Sequence, residues 1–328
     1  MARILVTGGA GYIGSHCCKA LAKAGHEPVV FDNLLTGHRE AVTWGPLIEG
    51  DLRDAGTISD AIRTIRPEAV LHFAALALVG ESVTHPERYY ATNVLGSLNL
   101  LEAMRAAGVH SLVFSSTCAV YGEPERVPMT EELPRRPINP YGATKLACEM
   151  MMEDFGAAHG IRSVRLRYFN AAGADPAAEI GEWHDPETHL IPLVLDAALG
   201  RRPAISIYGT DYPTSDGTAL RDYIHVMDLA DAHLAALRHL MGGGVPAALN
   251  LGTGSGASVR QVIRTVEEVT GRRVPIEESP RRAGDPPALV ADPARAEQLL
   301  NWRADKGLAA MIEDAWRWHL RLHSGRAP

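Results

Sequence analysis

Tyr141 and Lys145 stand four residues apart in the stretch NPYGATKLACE. The chain has nine tyrosines, and no other has a lysine at that distance; its four lysines are Lys19, Lys23, Lys145 and Lys306. Asn139 suits a helix N-cap and Pro140 the first helical position. Tyr141 then falls in the first turn, with Lys145 one turn on along the same face. A free tyrosine has a pKa of about 10, too high for a base at neutral pH. An ammonium group and a positive helix terminus nearby both favour the phenolate, so the pair is expected to form an acid/base of lowered pKa. Lysine's compact, rotatable head suits that task better than arginine's rigid fork. Upstream, FSSTCAVYG brings hydroxyls to the end of an apolar run. There Thr117 could hydrogen-bond a substrate hydroxyl and relay its proton to Tyr141.

The other chemical signal is at the N-terminus, where RILVT runs into GGAGYIG. Gly8, Gly11 and Gly14 have the spacing of a dinucleotide-binding turn. Gly8 would permit the turn, Gly11 the approach of a pyrophosphate, and Gly14 the packing of helix on strand, with the helix N-terminus facing the negative charge. Asp32 follows Gly14 by eighteen residues, where a carboxylate can accept hydrogen bonds from the adenosine ribose. It would repel a 2′-phosphate, and the next basic residue is Arg39, so NAD is expected rather than NADP. Asp51 either reaches the adenine or caps the following helix. Thr117, Tyr141 and Lys145 beside a bound nicotinamide would make a hydride-transfer site.

These residues need a scaffold that gathers them. Short β-branched runs at 3–7, 28–31, 69–73, 111–114 and 163–168 alternate with helical patterns at 13–24, 54–65, 86–107 and 140–159. Such alternation predicts an α/β, Rossmann-type doubly wound parallel sheet with ligands at the strands' carboxyl ends. After Asn170 the texture becomes rich in Gly, Pro and Asp, with strands expected at 204–208 and 248–251 and helices at 226–241 and 259–270. We expect an NAD-binding domain over 1–169, joined by a returning segment near 220–245, and a smaller α/β substrate-binding domain over 170–328.

Composition narrows the function further. A net charge of −7 argues against a nucleic-acid binder. Four cysteines without CxxC spacing, fourteen scattered histidines and no HExxH predict reduced thiols and no metal site. The N-terminal segment does not read as a signal peptide, and no run of about 18 apolar residues occurs. A cytoplasmic protein with no membrane partner is expected.

Taken with HFAALALVGES, RYFNAAGA, ETHLIPLVL, YGTDYPTSDGTALRDYIHVMDLA, NLGTG and RRAGDPPALVAD, these motifs cover nearly the whole chain. The sequence resembles the UDP-glucose (UDP-galactose) 4-epimerases of the extended short-chain dehydrogenase/reductase family. The resemblance implies a tightly held NAD and removal of the 4-hydroxyl proton by Tyr141 as carbon 4 gives up hydride. The 4-keto sugar then turns, and hydride returns to its other face. It implies further cofactor contacts from Tyr12, Ile13, Asn33, Leu52, Phe73, Ala74, Asn93, Ser115 and Tyr168. For a UDP-sugar it implies Asn170 on the diphosphate or sugar, His189 near the diphosphate, Leu190 in the substrate site, Tyr208 near uracil, Arg221 and Arg282 on the diphosphate, and Asp285 on the uridine ribose. Leu289 replaces a tyrosine of some bacterial members, predicting partial acceptance of N-acetylated sugars. Ala77 replaces a lysine that contacts the cofactor in many members. Cys118-Ala119 replaces the Asp–Glu pair of the sibling dehydratases, so dehydration lacks its acid and base. A homodimer through the helices at 86–107 and 140–159 is the usual arrangement of the family.

Overall fold

The first half of the chain alternates strand and helix because its apolar runs are too short for anything but buried strands, and amphipathic segments separate them. In the computed structural model, which describes residues 1–282 and 284–324, the order is β1 (Arg3–Thr7), α1 (Tyr12–Lys23), β2 (Glu27–Asp32), β3 (Leu47–Glu49), α2 (Ala55–Ile65), β4 (Ala69–His72), α3 (Val79–Thr84), α4 (Pro86–Tyr89), α5 (Gly96–Ala107), β5 (Ser111–Thr117), α6 (Pro140–His159) and β6 (Arg162–Tyr168). Ala283, within RRAGDPPALVAD, and residues 325–328 lie outside the described residues. The second half runs β7 (Asn170–Ala172), α7 (Leu190–Ala198), β8 (Ile205–Tyr208), β9 (Leu220–His225), α8 (Val226–Met241), β10 (Ala247–Leu251), β11 (Gly256–Ser258), α9 (Val259–Thr270), β12 (Ile276–Ser279), β13 (Ala288–Leu289), α10 (Ala294–Leu300) and α11 (Leu308–His323).

Seven strands form one sheet in the order β10-β6-β5-β4-β1-β2-β3, and every neighbouring pair is parallel. The order reverses between β1 and β4, which opens a crevice at their carboxyl ends. Alternation along β1 divides the core. Ile4 and Val6 pack with residues of α1 and α8, while Leu5 packs with residues of α2, α5 and α6 on the opposite face. This is the expected doubly wound α/β fold. The chain returns to it through α8 and then β10, which pairs with β6, so the returning segment reaches Leu251. A smaller part comprises β9 with β7, β11 and β13, and the β8–β12 pair; its core includes Ile191, Val194, Val262, Val266 and Ile312 of α7, α9 and α11.

Three expectations are corrected. β5 runs to Thr117 rather than Phe114, so the hydroxyl residues continue the strand and are held by the β6 register, Ser115 opposite Leu166 and Thr117 opposite Tyr168. The expected 86–107 helix is interrupted by a π-helical turn over Tyr90–Leu95, and such turns often occur at functional sites. Asp51 neither ends β3 nor caps α2. Asp54 is the cap, its carboxylate accepting from Gly56 N at 2.9 Å and Thr57 N at 3.2 Å.

A buried ion pair fastens α6 to the sheet. Glu149 and Arg167 are 0% and 3% exposed, and the guanidinium donates to the carboxylate at 2.8 and 2.5 Å. Ser116 Oγ donates to Glu149 at 2.6 Å, and Arg167 reaches Tyr121 at 2.8 Å. Burial alone would raise the Glu149 pKa; Arg167 and Ser116 outweigh it and hold the carboxyl below its ordinary value. Breaking one side of such a pair typically costs about 3–5 kcal/mol. Glu149→Gln should therefore lose stability on that scale in a denaturant melt at neutral pH, and a loss under about 1 kcal/mol would contradict the assignment. Because the folded-state pKa is depressed, the parent's extra stability is present above the unfolded carboxylate pKa and is lost as pH falls through the folded value. The difference between parent and variant should shrink in acid.

Candidate active site

The glycine loop is built by steric necessity at two points. Gly8 has φ +74°, and a Cβ there would meet Ala74 N at 2.5 Å. A Cβ on Gly14 would meet the Gly8 carbonyl oxygen at 2.1 Å, so Gly14 makes room for the turn itself rather than for the strand. A Cβ on Gly11, by contrast, would sit at ordinary contact distance, 3.4 Å from the Gly8 carbonyl oxygen. Gly11 is the N-cap of α1, with no side-chain cap and no acidic residue in the first turn, so the helix N-terminus at Tyr12 and Ile13 suits an anion. The loop therefore fits a dinucleotide pyrophosphate.

Asp32, 8% exposed, accepts from Ala10 N at 3.0 Å and Leu34 N at 2.9 Å. It clamps the loop across the end of β2, and each oxygen keeps a lone pair for a ribose hydroxyl. Asn33 donates to Asp51 at 2.9 Å, and Asp51 also accepts from Arg53 Nη2 at 2.6 Å, which holds its carboxyl well below the ordinary range. Leu52 follows, its carbonyl accepting from Asn99 at 2.8 Å. Phe73 and Ala74 bond back to Thr7 O, keeping the end of β4 against the glycine loop. Ala77 is exposed.

Asn93 has a different place from the one expected. It is buried and lies in the π-helical turn; its amide accepts from Leu76 N at 2.8 Å and donates to Leu76 O at 3.1 Å and Thr144 at 3.0 Å. Both amide hydrogens are engaged and the oxygen keeps one lone pair, so Asn93 positions the turn after β4.

Thr117, Tyr141 and Lys145 converge at the carboxyl end of β5. Asn139 caps α6, accepting from Gly142 N at 2.9 Å, and this sets Tyr141 in the first turn. Lys145, 3% exposed, donates to Ser115 O at 2.9 Å, and its Nζ lies 4.8 Å from the Phe114 ring centre. The remaining ammonium hydrogens suit ribose hydroxyls. Burial pulls Lys145 down to about 8. Burial also pushes the Tyr141 phenol up to about 12, partly countered by the neighbouring Thr117 hydroxyl. The expectation of a lowered tyrosine pKa is therefore corrected: Lys145 is directed to a strand carbonyl, and desolvation outweighs what the protein provides for the phenolate. Ser115 and Tyr168 hydrogen-bond each other, and burial raises the Tyr168 pKa.

Facing this edge are the residues assigned to a nucleotide sugar. Asn170 donates to Asp222 O at 3.0 Å, leaving its amide oxygen free. Arg221 and Asp285, assigned to the adjoining diphosphate and uridine ribose, form an ion pair with each other. Arg282 lies 3.9 Å over the Tyr208 ring, so a base that stacks there must take the other face or displace the guanidinium. Leu289 packs against the cluster of Val120, Tyr121, Met129 and Leu133.

His189 is the N-cap of α7, directly before Leu190, and its Nδ1 pairs with Glu182. Glu182, His184, Glu187 and His189 form one cluster, so the histidines are not all scattered as expected. Burial opposes the charge on His184, but Glu182 and Glu187 raise it to about 10. Trp183 stacks on His38 at 3.7 Å, tying this segment to the loop after β2. The sequence reading missed Ser116, Glu149, Arg167, Glu182, His184 and Trp183. Two signals were present: Glu149 lies four residues after Lys145, and GEWHDPETH has an alternating Glu/His spacing.

Known proteins agree with this geometry. Residues 4–252 match the NAD dependent epimerase/dehydratase family. The UDP-glucose 4-epimerase of Rhizobium meliloti is 54% identical over 98% of both chains. The crystal structure of UDP-glucose 4-epimerase from Brucella ovis in complex with NAD superposes with a TM-score of 0.95, at 50% identity over 97% of this chain and 99% of that one. A UDP-glucose-4-epimerase from Stenotrophomonas maltophila, with bound NAD and formylated UDP-arabinopyranose, gives 0.96 at 41% identity over 99% of this chain and 100% of that one. With the glycine loop, the parallel sheet and the Thr–Tyr–Lys edge in place, this chain belongs to the NAD dependent epimerase/dehydratase family.

Proposed function

We propose that this protein is a UDP-sugar 4-epimerase that holds NAD and interconverts UDP-glucose and UDP-galactose through a 4-keto sugar. The observation that carries the reading is the convergence of Thr117, Tyr141 and Lys145 at the end of β5, beside a glycine loop that fits a dinucleotide. NAD, when bound, supplies the hydride acceptor and a cationic ring, the charge that the buried phenol lacks. Tyr141 removes the proton from the 4-hydroxyl and later returns it, with Thr117 holding the same oxygen. Lys145, fixed by Ser115 O, orients the ribose on the nicotinamide side. Oxidation and reduction take place on opposite faces of carbon 4, so the sugar must turn while its diphosphate stays held. Arg221, Arg282, Asn170 and His189 are placed for that grip, and guanidinium forks suit phosphate oxygens.

Pure protein given UDP-galactose without added NAD should yield UDP-glucose on chromatography. With NAD then added in excess, steady growth of NADH absorbance would instead identify a net dehydrogenase. Epimerisation of another UDP-sugar, a pentose or uronic acid nucleotide, is the second reading; the formylated UDP-arabinopyranose bound by the Stenotrophomonas relative favours testing it. The reduced state of Cys17, Cys18, Cys118 and Cys148 accords with a cytoplasmic setting, and no helix among the described residues is long and apolar enough to cross a membrane.

Exposed apolar side chains support a homodimer through the π-turn, α5 and α6. Tyr90, Leu95, Leu98 and Met150 all face solvent, and a surface of this kind marks an interaction site. Leu98→Glu should shift the protein from dimer to monomer in light scattering, whereas a parent already monomeric would remove the proposal.

Tyr141→Phe should fold and retain NAD but lose about 10²–10⁴-fold in kcat, the usual contribution of a general acid/base. Turnover within a few-fold of the parent would reassign the proton transfer.

Leu289 lacks the ring and hydroxyl of the tyrosine found there in some members, so the sugar pocket should admit an acetamido group in part. Apolar walls discriminate by only about 10–200-fold per methylene-sized change. UDP-N-acetylgalactosamine should turn over slowly in the parent and more slowly still in Leu289→Tyr. No turnover in the parent, or no loss in the variant, would show that other residues close the pocket.

A further inference from the structure

We propose that Asp196, His319 and His323 form a binding site for a divalent cation of the zinc class, joining the C-terminal ends of α7 and α11. The two histidines are at i and i+4 on α11, one above the other, a spacing that lets a helix present two imidazoles to one ion. Both direct Nε2 at the same oxygen: His319 Nε2 lies 3.0 Å and His323 Nε2 3.9 Å from Asp196 Oδ1. The three ligand atoms lie within 4.8 Å of one another. Zn–N and Zn–O distances of about 2.0–2.2 Å place tetrahedral ligand atoms roughly 3.4 Å apart, between the two observed His–Asp separations, so modest side-chain shifts would bring the carboxylate and both imidazoles onto one ion. The burial is graded: the side chains of His319, His323 and Asp196 are 7%, 23% and 24% exposed, which leaves the outer position to water. Two imidazoles and one carboxylate suit zinc, cobalt or nickel rather than calcium or magnesium, which prefer oxygen donors.

One neighbour competes. Arg201 Nε donates to Asp196 Oδ1 at 3.1 Å, but its side chain is half exposed and can withdraw to solvent. The Glu182, His184, Glu187 and His189 cluster is a weaker candidate. Its Glu187 already accepts from the backbone N–H groups of Thr188 and His189, and the cluster belongs to the substrate edge. Asp196 lies six residues beyond Leu190, roughly 9 Å along α7, so the proposed site is separate from that chemistry.

The test is zinc chloride titration of untagged, EDTA-stripped full-length protein by calorimetry, with cobalt substitution read in the visible spectrum. The parent should take up a single equivalent, show a tetrahedral cobalt band and gain thermal stability with zinc. His323→Ala, an exposed change at the end of α11, and Asp196→Asn should abolish the uptake, while His184→Ala should retain it; His323→Ala should keep parental sugar-nucleotide turnover. No uptake by the parent would overturn the proposal. So would uptake that survives His323→Ala and Asp196→Asn, or uptake lost in His184→Ala.

Discussion

The ion pair of Glu149 with Arg167 is the interaction on which the site depends. It lies between α6 and β6, shielded from water, and its hydrogen bonds leave the carboxylate fully engaged. Three residues of β5 then meet three turns of α6: Ser115 O receives Lys145, Ser116 Oγ reaches Glu149, and Thr117 faces Tyr141. A helix repeating every 3.6 residues and a strand rising about 3.3 Å per residue are brought into one register by three contacts. Unless α6 is fixed to the sheet in this way, Tyr141 and Thr117 have no shared position. A buried charge pair is weak evidence for net stability, but it penalises any other docking of the helix strongly.

The cofactor side is governed by backbone rather than side chains. Gly8 and Gly14 make a turn that no Cβ could enter, and Asp32 secures it from β2 through Ala10 N. Asn93 does the same for the turn after β4 through both backbone groups of Leu76. Residues that read as ligand contacts thus also hold the loops in shape. A carboxylate has lone pairs enough for both tasks, whereas the Asn93 amide has both N–H donors engaged and one lone pair left on its oxygen.

On the substrate side most charges are paired with one another. Arg221 holds Asp285 and Glu182 holds His184 and His189, while Arg282 lies over the neutral Tyr208 ring. A diphosphate bound here, as proposed, would take Arg221 from Asp285 and His189 from Glu182. Such an exchange lowers the net gain from each contact but leaves no buried charge uncompensated. It also favours holding the anionic end of a ligand while its neutral end turns.

The sequence by itself determined the parallel sheet, the glycine loop, the Asn-Pro start of α6 and the Tyr–Lys pair, because each follows from local spacing and backbone chemistry. Motif resemblance added the nucleotide-sugar residues. Tertiary structure alone decided what those residues touch. That Lys145 serves a strand carbonyl, that the Tyr141 phenol is raised rather than lowered, and that Arg221 meets Asp285 across 64 positions of chain all depend on burial and on contacts between distant segments. Desolvation acts on a side chain only after folding has removed its water, so no spacing rule along the chain could have supplied the sign of that shift.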